Sequence, residues 1–289
     1  MPIWMASRLV SSNIPSHTLL RSSLDIVVVN IGQRIVVKIG TRVIAQKTGR
    51  PDLPQMRRLA AQVSALHRAG YQVVLVSSGA IGAGMAALGI ASRPKEVPDL
   101  QMCAAVGQAR LMALYEELFK ASKIRIGQVL LTHDDFENRI RHSNARRTME
   151  HLLRNGVIPI INENDVVADE EVKAYLSLGD NDYLAALVVK LIRADLLVIL
   201  STVDGLLRMD AKPPRRVPCI EKLDKEAFKL VNPVTGGLSK GGMDSKLRSA
   251  QIAVKAGCAV VIANGRKASA LTDVVAGKDV GTLILGATV

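Results

Sequence analysis

Aromatic side chains are nearly missing from this sequence: three Phe, four Tyr and one Trp make up 3% of 289 residues. A surface that stacks nucleic-acid bases needs several of them, so the composition argues against that class of partner. Any core must be aliphatic. Cysteine is equally scarce. Cys103, Cys219 and Cys258 are odd in number and widely spaced. That excludes a disulfide framework or zinc-ligand spacing and suits a reducing compartment. The five histidines form no ligand pair at helical spacing, and no apolar run is long enough to cross a bilayer. Two nucleotide motifs are also absent, the GxxxxGK phosphate loop and the GxGxxG dinucleotide fingerprint.

What is present is an aliphatic chain with an excess of cations. Hydrophobic residues make up 48% of it, enough for a sizeable core. The formal net charge of +12 suits an anionic ligand or a nucleic acid, and equally plain solubility. Much of the excess sits early, where residues 1–60 hold nine Lys and Arg against two acids. Residues 1–30 carry Arg8 and Arg21 among serines, with no acid before Asp25. This stretch reads as a peripheral or disordered extension or an over-long start, with an organelle-targeting segment as the alternative. Part of it, Ile26 to Ile31, is apolar enough for a strand.

From Arg34 onward, short apolar runs alternate with amphipathic segments. Strands are expected over Arg34–Ile39, Gln72–Val76, Arg125–Thr132, Val157–Ile161, Leu196–Leu200, Ala259–Ala263 and Thr282–Leu285. Helices are expected over Pro54–Ala69, Leu100–Lys120, Ser143–Arg154, from Asp182 to about Arg193, into Ala256, and over Ala268–Ala276. Lys212–Arg216, with two prolines, reads as a loop. The alternation argues for an α/β fold with a mainly parallel sheet covered on both faces. No low-complexity linker divides it, so one compact unit with two lobes is expected.

Carboxylates, amides and lysines collect where strands end. Val157–Ile161 runs into Asn162, Glu163, Asn164 and Asp165, and later Gly179-Asp180-Asn181-Asp182 opens a helix. Ligands of open α/β sheets gather at the carboxyl ends of strands. Asp180 reads equally as a helix N-cap, and the first cluster as a solvated turn. Lys38 stands near the end of an aliphatic strand, just before Gly40. A cation there is costly unless it meets an anion, or unless the strand is an edge from which it snorkels. Ser77–Gly84 joins a strand to a helix through glycines, whose free amides suit an anion. A second Gly-rich stretch, Gly236–Lys246, opens another helix. Two lysines beside glycines, two sets of amides, Asp165 and Asp182 form the inventory of phosphoryl transfer, which is largely positioning and charge compensation.

These segments stand in an order that resembles the amino acid kinase family, and within it the branch that phosphorylates glutamate. The resemblance runs from about Arg34 to the last strand. It rests on VVKIGT (Val36–Thr41), VSSGAIGAG (Val76–Gly84), AAVGQ (Ala104–Gln108), QVLLT (Gln128–Thr132), NAR (Asn144–Arg146), PIINENDVV (Pro159–Val167), GDND (Gly179–Asp182) and GGMDSKL (Gly241–Leu247). The PIINEND and GDND pair separates the glutamate branch from its relatives. The resemblance implies a three-layer α/β/α sandwich around a mainly parallel sheet of roughly eight strands. Residues 31–289 would form the kinase domain, with the acceptor in its N-terminal lobe and ATP in its C-terminal lobe. The chain would lack the RNA-modification-type domain that many relatives carry at the C-terminus, and also a fused reductase.

By motif, Lys38 and Lys246 correspond to lysines that neutralise the moving phosphoryl group, and Asp182 to the aspartate that orients them. Ser78, Gly79, Ala80, Asp165 and Asn181 fall at acceptor positions. Lys38, Gly40, Ser201, Thr202, Lys240, Gly241, Gly242, Met243, Asp244, Ser245 and Lys246 fall at nucleotide positions. The implied reaction is attack by the γ-carboxylate of L-glutamate on the γ-phosphate of Mg-ATP, which yields L-glutamyl 5-phosphate for proline biosynthesis. A carboxylate is ionised at neutral pH, so no general base is required. The implied setting is cytoplasmic, with ATP and Mg2+, no metal ligands of the chain's own, a homo-oligomer, and proline as feedback inhibitor; neither membrane nor nucleic acid is implied. The chain differs from the family pattern at Ser201-Thr202, where Thr-Asp or Ser-Asp is usual, and at Lys240 and Arg42, where small residues are common. The alternatives are a relative acting on another carboxylate, carbamate or a nucleoside monophosphate, or an inactive nucleotide-sensing or nucleic-acid-binding relative. The presence of Lys38, Lys246 and Asp182 speaks against the inactive one.

Overall fold

The structure, a computed structural model, describes residues 18–21, 26–29, 32–46, 48–168, 180–208, 213–231 and 242–285. Its strands in chain order are β1 (Thr18–Arg21), β2 (Ile26–Val29), β3 (Arg34–Ile39), β4 (Gln72–Val76), β5 (Arg125–Leu131), β6 (Val157–Glu163), β7 (Leu196–Ser201), β8 (Leu207–Arg208), β9 (Arg215–Arg216), β10 (Cys219–Ile220), β11 (Ala259–Asn264) and β12 (Gly281–Ile284). The helices are α1 (Thr41–Ile44), α2 (Leu53–Arg68), α3 (Ala80–Leu88), α4 (Val97–Lys120), α5 (His133–Glu137), α6 (Arg139–Arg154), α7 (Asp180–Ile192), α8 (Lys225–Val231), α9 (Met243–Lys255) and α10 (Ala270–Val275).

Eight strands form the central sheet in the order β10-β12-β11-β7-β3-β4-β6-β5. All neighbours are parallel except β11 and β12. Strand β3 lies between β4 and β7, so Lys38 is on a central strand and the edge-strand reading does not hold. Residues Ile26–Val29 do form a strand, but it pairs with Thr18–Arg21 in a separate antiparallel ribbon; residues 30 and 31 lie outside the described set. The expected loop over Lys212–Arg216 contains β9, which pairs with β8.

The period-2 alternation of each strand divides the aliphatic core. Ile35, Val37 and Ile39 face one side, with Leu59 and Val63 of α2, Leu111 of α4 and Leu271 of α10. Val36 faces the other, with Met149 of α6, Val188 of α7 and Leu247 of α9. Helix α2 shows how local sequence sets such an element. The Asp52 side chain caps it by accepting from the Gln55 amide at 3.3 Å, Pro54 sits in its first turn, and Met56, Leu59, Val63 and Leu66 form its buried stripe.

The chain leaves β3 and β4 towards the first face and leaves β6 and β7 towards the second. At two boundaries, β3 beside β7 and β4 beside β6, neighbouring strands therefore send their chains apart. Crevices of this kind at carboxyl ends are where α/β sheets bind ligands.

Candidate active site

The sheet register sets up the first cluster. Lys38 stands abreast of Val76 on β4 and Ile199 on β7, and Val76 abreast of Ile161 on β6. Lys38 shares the face of Val36, which is the side covered by α7 and α9. Each helix turns a charged residue of its first turns inward. Asp182 precedes the buried Leu184 and Ala185, and Lys246 precedes the buried Leu247. The three side chains meet, with Lys38 Nζ 2.6 Å from Asp182 Oδ1 and Lys246 Nζ 3.1 Å from Oδ2. The aspartate is 1% exposed and each lysine 9%. Burial pushes the Asp182 carboxyl up, but the two ammonium groups outweigh it and hold the carboxyl below its ordinary range.

The second cluster is neutral. Asn181 precedes Asp182 but points to the β4–β6 boundary. Its Nδ2 donates to the Ser77 carbonyl at 2.7 Å, to Ser78 Oγ at 2.8 Å and to Asn162 Oδ1 at 3.0 Å. Asn162 Nδ2 donates in turn to Gln108 Oε1 of α4 at 2.8 Å. Beneath these groups Ser77 Oγ lies 2.7 Å from the Tyr115 hydroxyl. Burial pushes that phenol up to about 12, and the bond to Ser77 pulls the other way.

Two glycine devices shape the floor. Gly79, the residue before α3, has φ of 104°, a left-handed conformation that favours glycine, and it gives α3 no side-chain cap. Helices α3 and α4 touch backbone to backbone: a Cβ on Gly84 would run into the Cys103 carbonyl, and one on Gly107 into the Ala80 carbonyl. Gly40 precedes α1 and donates its amide to the Leu200 carbonyl at 3.1 Å, which ties the ends of β3 and β7 together.

The remaining residues predicted from sequence fall as follows. Ala80 is the first residue of α3. Asp165 sits in the turn after β6, half-buried. Ser201 ends β7 half-buried, and Thr202 beside it is exposed. Gly242 precedes α9 and supplies no side-chain cap. Met243, Asp244 and Ser245 make its first turn; Asp244 pairs with Arg248 at 2.7 Å, and Ser245 is buried. Lys240 and Gly241 lie outside the described residues. Sequence reasoning quoted Gln108 and Asn162 inside motifs but gave them no role, and it passed over Tyr115. The available signal was an amide directly after a buried apolar run.

Among the described residues no three His, Cys, Asp or Glu side chains gather in a way that could hold a metal ion. None of the described helices is long and apolar enough to cross a membrane.

A sequence profile of the amino acid kinase family matches residues 33–264. A glutamate 5-kinase of Clostridium tetani is 42% identical over 253 residues, spanning 86% of this chain and 93% of that one. A glutamate 5-kinase of Geobacter sulfurreducens is 43% identical over 256 residues, spanning 88% of this chain and 68% of that one. Among solved structures, the carbamate kinase of Giardia lamblia bound to AMP-PNP superposes with a TM-score of 0.61 at 18% identity, over 88% of this chain and 98% of that one. The UMP kinase of Bacillus anthracis gives 0.58 at 14% identity, over 89% and 97%. At those identities the superpositions speak for the fold.

Proposed function

The chain belongs to the amino acid kinase family, and from that premise we propose that it transfers the γ-phosphoryl group of ATP to the γ-carboxylate of L-glutamate. The products are L-glutamyl 5-phosphate and ADP, and the step opens proline biosynthesis. The similarity to glutamate 5-kinases over most of their length supports this choice of acceptor. The observation that carries it is on α7, where Asn181 joins a neutral amide cluster and its neighbour Asp182 joins a lysine cluster.

The residues divide the work by chemistry. Lys38 and Lys246 offset negative charge on the phosphoryl group as it leaves the nucleotide and reaches the acceptor, which is the largest contribution such a site makes. Asp182 holds both ammonium groups in place without itself taking a proton, because its carboxyl stays ionised. The Gly40 region and the start of α9 serve the nucleotide side, with Ser201, Thr202 and the segment 240–246. Ser78 Oγ accepts from Asn181 and so has its own proton to give to the acceptor. Asp165 supplies a carboxylate to the acceptor's ammonium group, and the first amides of α3 meet an acceptor oxygen. The attacking carboxylate is already ionised at neutral pH, so no side chain has to remove a proton.

The donor set fits Mg2+ brought in with ATP. Asp182 already directs both oxygens at ammonium groups, and Mg2+ takes ligands readily from phosphate oxygens and water. Brought in with the nucleotide, it would supply positive charge that offsets the developing negative charge on the phosphate. The reading includes action in the cytoplasm, self-association and inhibition by proline, each open to direct measurement. The central test is ADP release with Mg2+ and ATP on a panel of glutamate, carbamate, N-acetylglutamate and UMP. Turnover with glutamate is expected; turnover with another member of the panel and none with glutamate would overturn the assignment.

A further inference from the structure

Three amides meet at the β4–β6 boundary, and two backbone groups fix which way each faces. The Glu163 N–H can only donate, and it lies 3.0 Å from Asn162 Oδ1. The Ser77 carbonyl can only accept, and it lies 2.7 Å from Asn181 Nδ2. Asn162 must therefore turn its Nδ2 to Gln108, which receives it on Oε1 at 2.8 Å. The two protons of Asn181 Nδ2 already serve three acceptors, Ser77 O, Ser78 Oγ and Asn162 Oδ1. Two atoms are left over, the acceptor Asn181 Oδ1 and the donor Gln108 Nε2. Both are buried without a hydrogen-bond partner among the described residues. Gln108 as a whole is 9% exposed. Unmade buried bonds are costly, and native proteins leave few of them without a purpose.

We infer that Gln108 determines acceptor specificity: its Nε2–H donates to the α-carboxylate of the substrate, while Asn181 Oδ1 accepts from the α-ammonium. This rests on the acceptor proposed above. The order of the groups supports it. Asp182 marks the reacting end, Asn181 is its neighbour, and Gln108 lies two hydrogen bonds further on, through Asn162. An acceptor that reacts at its side-chain carboxylate places its head group at this far end. A left-over donor rejects a lone ammonium and a left-over acceptor rejects a lone carboxylate, so a zwitterion satisfies both.

The test compares glutamate with 4-aminobutyrate, which keeps the ammonium and the reacting carboxylate but lacks the α-carboxylate. Gln108→Glu keeps an oxygen for Asn162 and removes the donor. The KM for glutamate should rise at least about tenfold, while kcat and the inhibition constant of 4-aminobutyrate as a competitor stay within about threefold. A purely structural role would weaken both ligands alike, and an unchanged ratio of the two constants overturns the inference. Should Gln108→Glu not fold, as judged by its melting, Gln108→Met carries the same comparison. Wild-type turnover with glutamate is checked first. Its absence overturns the acceptor assignment and this inference together, whereas turnover with an unchanged ratio overturns this inference alone.

Discussion

The two ends of strand β3 each hold a cation, half-buried at one end and buried at the other, and they treat it differently. At the amino end, the Arg34 guanidinium forms a two-pronged bond to Glu150 at 2.9 and 3.1 Å, reaches Gln72 at 3.0 Å and also meets the Ile192 carbonyl. Its backbone amide bonds Asp195 at 2.8 Å. Every prong of the fork has an acceptor within the protein. At the carboxyl end, Lys38 has three donors, and Asp182, its carboxylate partner, also serves Lys246. A cation whose every nitrogen donates within the protein stabilises the fold. One that shares its acceptor is placed for something that arrives from outside. Saturation, rather than burial or charge, is thus the proposed dividing line between structural and functional ions here.

The largest expected effect tests that claim at the shared carboxylate. Asp182→Asn should cost about 3–5 kcal/mol of stability, the range for breaking a buried ion pair, and should also abolish most turnover. Denaturant melts and ADP release read the two losses. The same group predicts an acid limit. Its folded carboxyl titrates below the unfolded value of 3.8. The stabilisation is therefore complete above that value and disappears as pH falls through the lower, folded one. Acid melts of wild type and Asp182→Asn should converge at low pH; if they stay parallel, the ion cluster does not work as described.

Next come the lysines. Lys38→Ala and Lys246→Ala should each lower kcat by about 10²–10³, or about 2.7–4 kcal/mol, by analogy with the loss of one preorganised donor. Wild-type turnover in either protein would remove the contrast between the two strand ends. The matching change at the other end, Arg34→Ala, should cost roughly 2–3 kcal/mol of stability and leave kcat unchanged. It is smaller than for a fully enclosed pair because Arg34 is 19% exposed and Glu150 21%. A fall in kcat at equal folded fraction would show that saturation is not the dividing line.

Smaller effects sharpen the comparison within the carboxyl end itself. Asp165→Ala should raise the KM for glutamate about tenfold, or about 1.4 kcal/mol, with the KM for ATP within about twofold. A larger effect on ATP would move the acceptor elsewhere. Tyr115 lies at the same level, but its hydroxyl is matched by Ser77. Tyr115→Phe should thus behave like the amino end, losing about 0.5–1.5 kcal/mol of stability with no change in either KM. The phenol's folded value of about 12 stands above the unfolded 10.0. Its contribution is therefore complete below pH 10.0 and fades as pH rises through about 12.

Much of this architecture was legible in the sequence because aliphatic runs between polar punctuation leave little choice. Arg34–Ile39 and Gln72–Val76 were bounded to the residue. The direction of β12 was not, since an apolar run reads alike in either sense and it lies antiparallel to β11. Strand β10 has two residues and the helix α1 four, too few for any period to register. At the site, Lys38 and Asp182 announced themselves as charges at strand and helix ends. Gln108 did not, because a glutamine inside a helix looks like any solvated position until Asn162, distant in sequence, is brought against it.

The contact of Gly84 and Gly107 with the opposing backbone has a consequence for how this protein can change. Helices normally slide against each other by fractions of an ångström when a side chain between them grows or shrinks. Here no side chain separates them, so there is nothing to trim and no room to add. Gln108 follows Gly107, and Ala80 opens α3, so two of the residues proposed to meet the acceptor hang from this rigid joint. On the proposed assignment, a new acceptor could not be accommodated by moving these two helices apart. It would have to be won by exchanging the head groups on a fixed frame, one amide or carboxylate at a time.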